Sequence, residues 1–227
     1  MTSAQTRFYP GPLQLRVIKF ALFVLCLLPA ALLIHGWSQH QLGANPVESI
    51  LQSSGSWTLR MLLITLAVTP LRRLSGLHWL LRLRRMLGLF AFAWGCAHLG
   101  IYSWLEQGFV LSAVVRDVIE RPFIAVGLVA FLLMLPLALT SSHASIRRLG
   151  GRLWQSVHRL VYVVALLGVI HFWWQAKADV LEPLIYAFIL GVLLGLRYYW
   201  RRSDRRKRIA AAQKSLRSFR GIPIKPQ

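Results

Sequence analysis

Three histidines lie inside apolar runs of this 227-residue chain: His98 in RRMLGLFAFAWGCAHLGIY, and His158 and His171 in RLWQSVHRLVYVVALLGVIHFWW. About 20 apolar residues in a helix cross the ~30 Å hydrocarbon core of a bilayer, which excludes polar side chains unless something satisfies them. An imidazole there either hydrogen-bonds to a neighbouring helix or offers a lone pair to a metal. The 13-residue separation of His158 and His171 is ~20 Å of helix, which puts them in different leaflets. Two ligands stacked across a membrane suit electron transfer between its faces. On an ideal helix they would also stand ~140° apart in azimuth, so spacing alone does not give them a common facing direction.

His98 falls about two-thirds of the way along its own run, nearer in depth to His171 than to His158. A bis-histidine heme b takes one imidazole from each of two neighbouring helices, and His98 with His171 is the natural axial pair. His158 then belongs to a second, inner site. Arg84, with Arg85 beside it, stands there in the place of a second histidine. Arginine is a poor iron ligand but pairs well with a heme propionate. The inner site is therefore open to a heme with one histidine, a flavin or a quinone. Arg60, near the middle of SWTLRMLLITLAVTPLRRL, is expensive in a membrane at ~2.5–3.5 kcal/mol on insertion scales. With no Asp or Glu inside the spans, its expected counter-ion is a heme propionate; the alternative is snorkelling to the interface. His35, His40, His78 and His143 fall at span ends or in loops and read as interfacial.

The elements that must position these residues are six apolar segments, roughly 13–36, 56–70, 86–105, 122–141, 153–174 and 183–200, with 47–51 extending the second outward. The chain is 56% hydrophobic, with a mean hydropathy of +0.53, yet carries a formal charge of +20. A polytopic membrane protein with basic loops combines these traits. Arg7, Arg16 and Lys19, the arginines of the 71–85 and 142–152 loops, and the tail all fall on one side of six alternating helices. The other side holds only Arg116, Arg121 and Lys177, together with Glu48, Glu106, Asp117, Glu120, Asp179 and Glu182. The positive-inside rule thus predicts an all-α, six-transmembrane-helix bundle with both termini cytoplasmic. Its expected parts are residues 1–12 as a cytoplasmic N-terminus, 13–200 as the membrane domain and 201–227 as a basic tail, helical on anionic lipid or disordered. Topology explains the charge, so a nucleic-acid partner loses its support.

The N-terminal run resembles a signal peptide but lacks a convincing small-residue cleavage site and reads as a retained first span. Pro29 and Pro136, near span ends, are candidates for bends. Cys26 and Cys96 form neither C-x-x-C nor C-x-x-C-H and are expected as small buried side chains. No GxGxxG or P-loop is present, so electrons are expected from another protein or a lipid-soluble carrier. The loops 38–55, 106–121 and 175–182 form the outer surface from which electrons would leave. A cofactor-free transporter is the reading from another class, but it calls for acidic residues in the spans and inverted repeats, and neither is visible.

The segments GSWTLRMLLITLAVTPLRRL, RRMLGLFAFAWGCAHLGIY and RRLGGRLWQSVHRLVYVVALLGVIHFWW resemble the MsrQ (YedZ) family, within the ferric-reductase-like transmembrane superfamily. The likeness runs over about residues 10–205. It implies a heme-binding inner-membrane subunit of a bacterial methionine-sulfoxide reductase system, with heme ligands falling on His98, His158 and His171. It further implies heme b, one or two per chain, with FMN also attributed to the family. Electrons would pass from the quinone pool, or from a cytosolic flavin reductase, to a periplasmic molybdopterin reductase, MsrP. A stand-alone ferric or quinone reductase is the neighbouring alternative. Arg84 stands where other members of the superfamily have a further histidine, which bears on the number of hemes.

Overall fold

The computed structural model describes residues 9–176 and 180–220, and among these the chain is helical with no strand. Arg7, Lys177, Asp179 and residues 221–227 lie outside the described residues. The helices are α1 (Pro12–Ser38), α2 (Pro46–Ser75), α3 (Arg84–Ile101), α4 (Leu111–Glu120), α5 (Pro122–Leu139), α6 (His143–Val157), α7 (Leu160–Gln175) and α8 (Leu181–Arg220). A 3-10 turn, His78–Arg82, leads into α3, and a π-helical turn, Tyr102–Glu106, ends it. Local chemistry sets the starts. Pro12, Pro46 and Pro122 each take the first helical position, where the missing N–H costs nothing. The Asn45 side chain caps α2 by accepting from the Glu48 N–H at 3.3 Å, and Ser142 caps α6 by accepting from the Ser145 N–H at 3.0 Å. Pro29 and Pro136 sit inside α1 and α5, which continue through them. The chain falls into two compact units, 1–190 and 191–227, dividing within α8.

Within the first unit α2 is the central element. It packs most extensively on α3, while α5 packs on α7. Trp57 stacks on Trp94 at 6.2 Å between ring centroids, and Phe92 on Phe131 at 5.8 Å joins α3 to α5. Leu59, Met61, Leu62, Leu63 and Leu66 of α2 are all buried. Among the described residues four helices are long and apolar enough to cross a membrane: α1, the stretch Arg84–Glu106, α5 and the Leu181–Gln213 part of α8. The pair α6–α7 makes a fifth if the two are one span bent by 40°. The sixth expected span is α2, which has the length but not the apolarity. Its 30 residues include Glu48, Arg60, Arg72, Arg73 and several hydroxyls. A helix wrapped by other helices can be more polar than one wrapped by lipid.

Three expectations change here. The fifth apolar segment is not one helix: the backbone turns at His158–Arg159, and α6 is itself interrupted at Gly150, where φ is +73°. The 142–152 stretch is therefore helical rather than a loop. Cys26 is buried as expected, but Cys96 is exposed on the outer surface of α3. The basic stretch after residue 200 takes the helical one of its two expected forms, continuing α8 to Arg220.

The 106–121 loop contains α4, which Asp117 fastens down. This buried carboxylate accepts from the Tyr102 hydroxyl at 2.6 Å and from the Gln107 amide at 3.0 Å, and pairs with Arg121 Nε at 2.9 Å. The opposite face of α4 leaves Leu111, Val115 and Ile119 exposed at helical spacing. Asp117→Ala would strand three donors, all on chain segments flanking α4, at a cost of about 1–3 kcal/mol. The expected outcome is faster hydrogen exchange across Leu111–Glu120 with α2 and α3 unaffected.

Candidate functional site

The site forms where α3 and α7 each present a histidine to a different supporting helix. His98 Nδ1 lies 3.1 Å from the Leu51 carbonyl and 3.1 Å from the Ser54 hydroxyl on α2. A carbonyl only accepts, so Nδ1 carries the proton and Nε2 keeps its lone pair. Ser54 is itself fixed by donating to the same Leu51 carbonyl at 2.9 Å. The ring lies against Gly55, where a Cβ would fall 3.0 Å from Cε1.

His171 repeats this arrangement on α5. Its Nδ1 donates to the Phe123 carbonyl at 2.6 Å, and its ring lies against Gly127, where a Cβ would fall 2.8 Å from both Cε1 and Nδ1. In each case a carbonyl at position i takes the proton and a glycine at i+4 makes room for the ring. Interior helical glycine costs about 1 kcal/mol relative to alanine, so its presence at both places marks close approach.

The two rings come together, with centroids 6.3 Å apart and planes at 74°. Two metal–nitrogen bonds of about 2 Å plus the two ring radii span about 6 Å, so the spacing suits one metal ion held by both imidazoles. Among the described residues no group of three or more His, Cys, Asp or Glu could hold a metal ion by protein ligands alone. An iron porphyrin asks the protein for only the axial pair. The donor set and its anchored tautomers fit such a group.

His158 is elsewhere, and its protonation runs the other way. Thr140 Oγ1 donates to the Pro136 carbonyl at 2.5 Å, so its lone pair accepts from His158 Nε2 at 3.2 Å. Trp154 covers the ring at 4.1 Å and donates to the Thr140 carbonyl at 2.9 Å. Arg84, at the start of α3, lies close enough to act electrostatically on His158. Arg85 does not accompany it; it lines a groove between α1 and α3. His35, His40, His78 and His143 are exposed at helix ends and turns.

Arg60 requires a correction. The absence of an acidic partner does not hold: Glu182, in the first turn of α8, accepts from Arg60 Nη2 at 3.0 Å. Arg60 Nε also donates to the Tyr186 hydroxyl at 2.6 Å, Tyr186 donates to Glu182 at 2.9 Å, and Trp57 stands 5.0 Å from the guanidinium. By sequence Glu182 falls in the 175–182 loop, but the Arg60 side chain reaches the helix end where it lies. The guanidinium thus has a counter-ion without a propionate.

Residue chemistry alone missed Ser54, Gly55, Gly127 and Glu182. The two glycines left the clearest signal, each being an interior residue of a helix. Glu182→Gln should lower stability by about 1–2 kcal/mol, below the ~3–5 of a fully buried pair because both side chains are over a third exposed. A thermal melt of the detergent-solubilised protein measures this. Arg60→Gln on top of Glu182→Gln should recover part of the loss, since no uncompensated cation then remains.

Residues 54–169 match the model of the ferric reductase like transmembrane component; His98 and His158 fall inside the match and His171 two residues beyond it. The chain is also similar to proteins named protein-methionine-sulfoxide reductase heme-binding subunit MsrQ. That of Azospira oryzae is 60% identical over 191 residues, 84% of this chain and 82% of the relative. That of Herminiimonas arsenicoxydans is 49% identical over 207 residues, 90% and 95% of the two chains. That of Ralstonia nicotianae is 49% identical over 191 residues, 83% and 88%. With its apolar helices, this identifies a multi-pass membrane protein, and the chain belongs to the MsrQ family of ferric-reductase-like transmembrane proteins.

Proposed function

We propose that this chain is the heme b-binding inner-membrane subunit of a methionine-sulfoxide reductase system and conducts electrons outward without performing the reductase chemistry itself. The observation that carries this reading is the facing pair His98 and His171, each anchored through Nδ1 and 6.3 Å apart. The names of the relatives, as heme-binding subunits, agree with it. A heme held there would supply a one-electron redox couple.

The chain's own residues do the positioning. Leu51, Ser54 and Phe123 fix the tautomer and orientation of the two imidazoles, and Gly55 and Gly127 let the rings seat. The surrounding helices exclude water. His158 stands outside this pair, since its Nε2 is engaged by Thr140. We therefore infer one heme per chain, with His158 and Arg84 bordering a separate inner region, the place for FMN or a quinone if either binds. Arg60 steadies the start of α8 through Glu182 rather than neutralising a propionate.

The proposed topology keeps six crossings with both termini cytoplasmic, supported by the concentration of Lys and Arg on one side of the bundle. Electrons would enter on that basic side, from quinol or from a cytosolic flavin reductase. They would leave on the side of α4, toward a periplasmic molybdopterin reductase of the MsrP kind.

Purified protein supplied with heme is expected to show a bis-histidine b-type spectrum, with one heme per chain by pyridine hemochromogen. His98→Ala or His171→Ala should abolish it, while His158→Ala should keep it. Absence of a Soret band in the unmutated protein would sink the proposal, and loss of heme in His158→Ala would sink the one-heme assignment. Gly127→Ala should lose more heme than Gly55→Ala, because the added Cβ approaches the ring to 2.8 Å rather than 3.0 Å.

A further inference from the structure

Helix α1 touches the rest of the bundle sparingly. Only Leu15, Cys26, Pro29 and Gly36 of its 27 residues are buried. Between α1 and α3 it leaves a groove of about 480 Å³, lined by Lys19, Phe23, Arg82, Arg85, Met86, Leu89, Phe90 and Ala93, of which the cations and the apolar residues play different parts.

The lining is sorted along the groove. Lys19 precedes Phe23 on α1, and Arg82 and Arg85 precede Met86, Leu89, Phe90 and Ala93 on the α3 side. In the six-span reading α1 and α3 run in the same direction, so all three cations gather at one end and the apolar wall occupies the other. Arg85 to Ala93 is about 12 Å of helix, enough to flank part of an acyl chain. Phe23 meets Phe90 edge-on at 5.2 Å across the groove. At the cationic end Tyr9 holds Arg82, with its hydroxyl 2.5 Å from Nη2 and its ring 5.3 Å from the guanidinium. Among the described residues no acidic side chain lines the groove.

We propose that this groove is a binding site for one anionic phospholipid, its headgroup phosphate held by Lys19, Arg82 and Arg85 and its acyl chain laid along Phe23, Met86, Leu89, Phe90 and Ala93. Basic pockets between membrane helices on the cytoplasmic side recognise anionic headgroups by their charge, and a neutral lipid leaves the cations without a counter-ion. The matching order of charge and apolar surface on two helices selects an amphiphile over a free anion. Lipid seated there would also fill the gap that α1 leaves against α3.

The test is the lipid that stays with the protein. Unmutated protein, purified in neutral detergent from a bilayer of phosphatidylcholine and phosphatidylglycerol, should retain phosphatidylglycerol in preference, as quantified by mass spectrometry. Each cation is worth about a fivefold preference. The combined Lys19→Gln, Arg82→Gln, Arg85→Gln variant should therefore lose on the order of a hundredfold. The control is Arg205→Gln, Arg206→Gln, Lys207→Gln, which removes the same charges from exposed positions of α8 and should keep the preference. Lys19→Gln alone, on the loosely packed α1, should lose part of it if the triple variant does not fold. The proposal is overturned if the groove variants keep the preference, if the tail variant loses as much, or if a neutral lipid or a quinone is recovered in its place.

Discussion

A ring from a neighbouring helix can hydrogen-bond to a carbonyl inside a helix only if little occupies the space one turn further along. That carbonyl points toward the residue at i+4, whose Cβ would block an approaching ring. The site depends on this constraint. Leu51 with Gly55, and Phe123 with Gly127, each present a reachable carbonyl beside an absent Cβ, on two helices that otherwise share no sequence pattern. Because the acceptors belong to the helical backbone, they are as rigid as the helices. The two rings then inherit their separation from the packing of α3 on α5 and of α2 on α7, which joins the two histidine-bearing helix pairs.

The same logic explains the character of α2. It carries Ser54, Gly55, Thr58 and Arg60 in seven consecutive residues, more polar surface than a lipid-facing helix can afford. The three polar side chains among them have protein partners: Ser54 meets Leu51 and His98, Thr58 donates to the Ser54 carbonyl, and Arg60 is held by Glu182 and Tyr186. Being surrounded by other helices is what permits this composition. By contrast α1 and α5, with little buried surface, read as almost unbroken hydrocarbon.

Much of this was legible in the sequence, and the reasons differ by residue. His98 and His171 could be paired because depth in a membrane follows from counting along co-directional helices, and counting needs no tertiary information. The helical class followed from apolar run length. The break at His158–Arg159 was not legible, since neither residue is a proline or a glycine and the surrounding run is apolar. The Arg60 counter-ion was missed because depth was measured at Cα, whereas a guanidinium reaches several ångströms from it. Helix α4 was read as loop because its apolar residues, with polar neighbours between them, are too few to suggest a span. The opposite tautomer of His158 depends on where Thr140 sends its own proton, which only coordinates reveal.

Both Nδ1 protons go to peptide carbonyls rather than to carboxylates. A carboxylate in either place would pull on the proton and would itself gain or lose charge as acidity changed, altering the electron-donating strength of the ring. A peptide oxygen does neither. The hydrogen-bond partners of both imidazoles therefore carry no charge that a change of pH on either side of the membrane could alter.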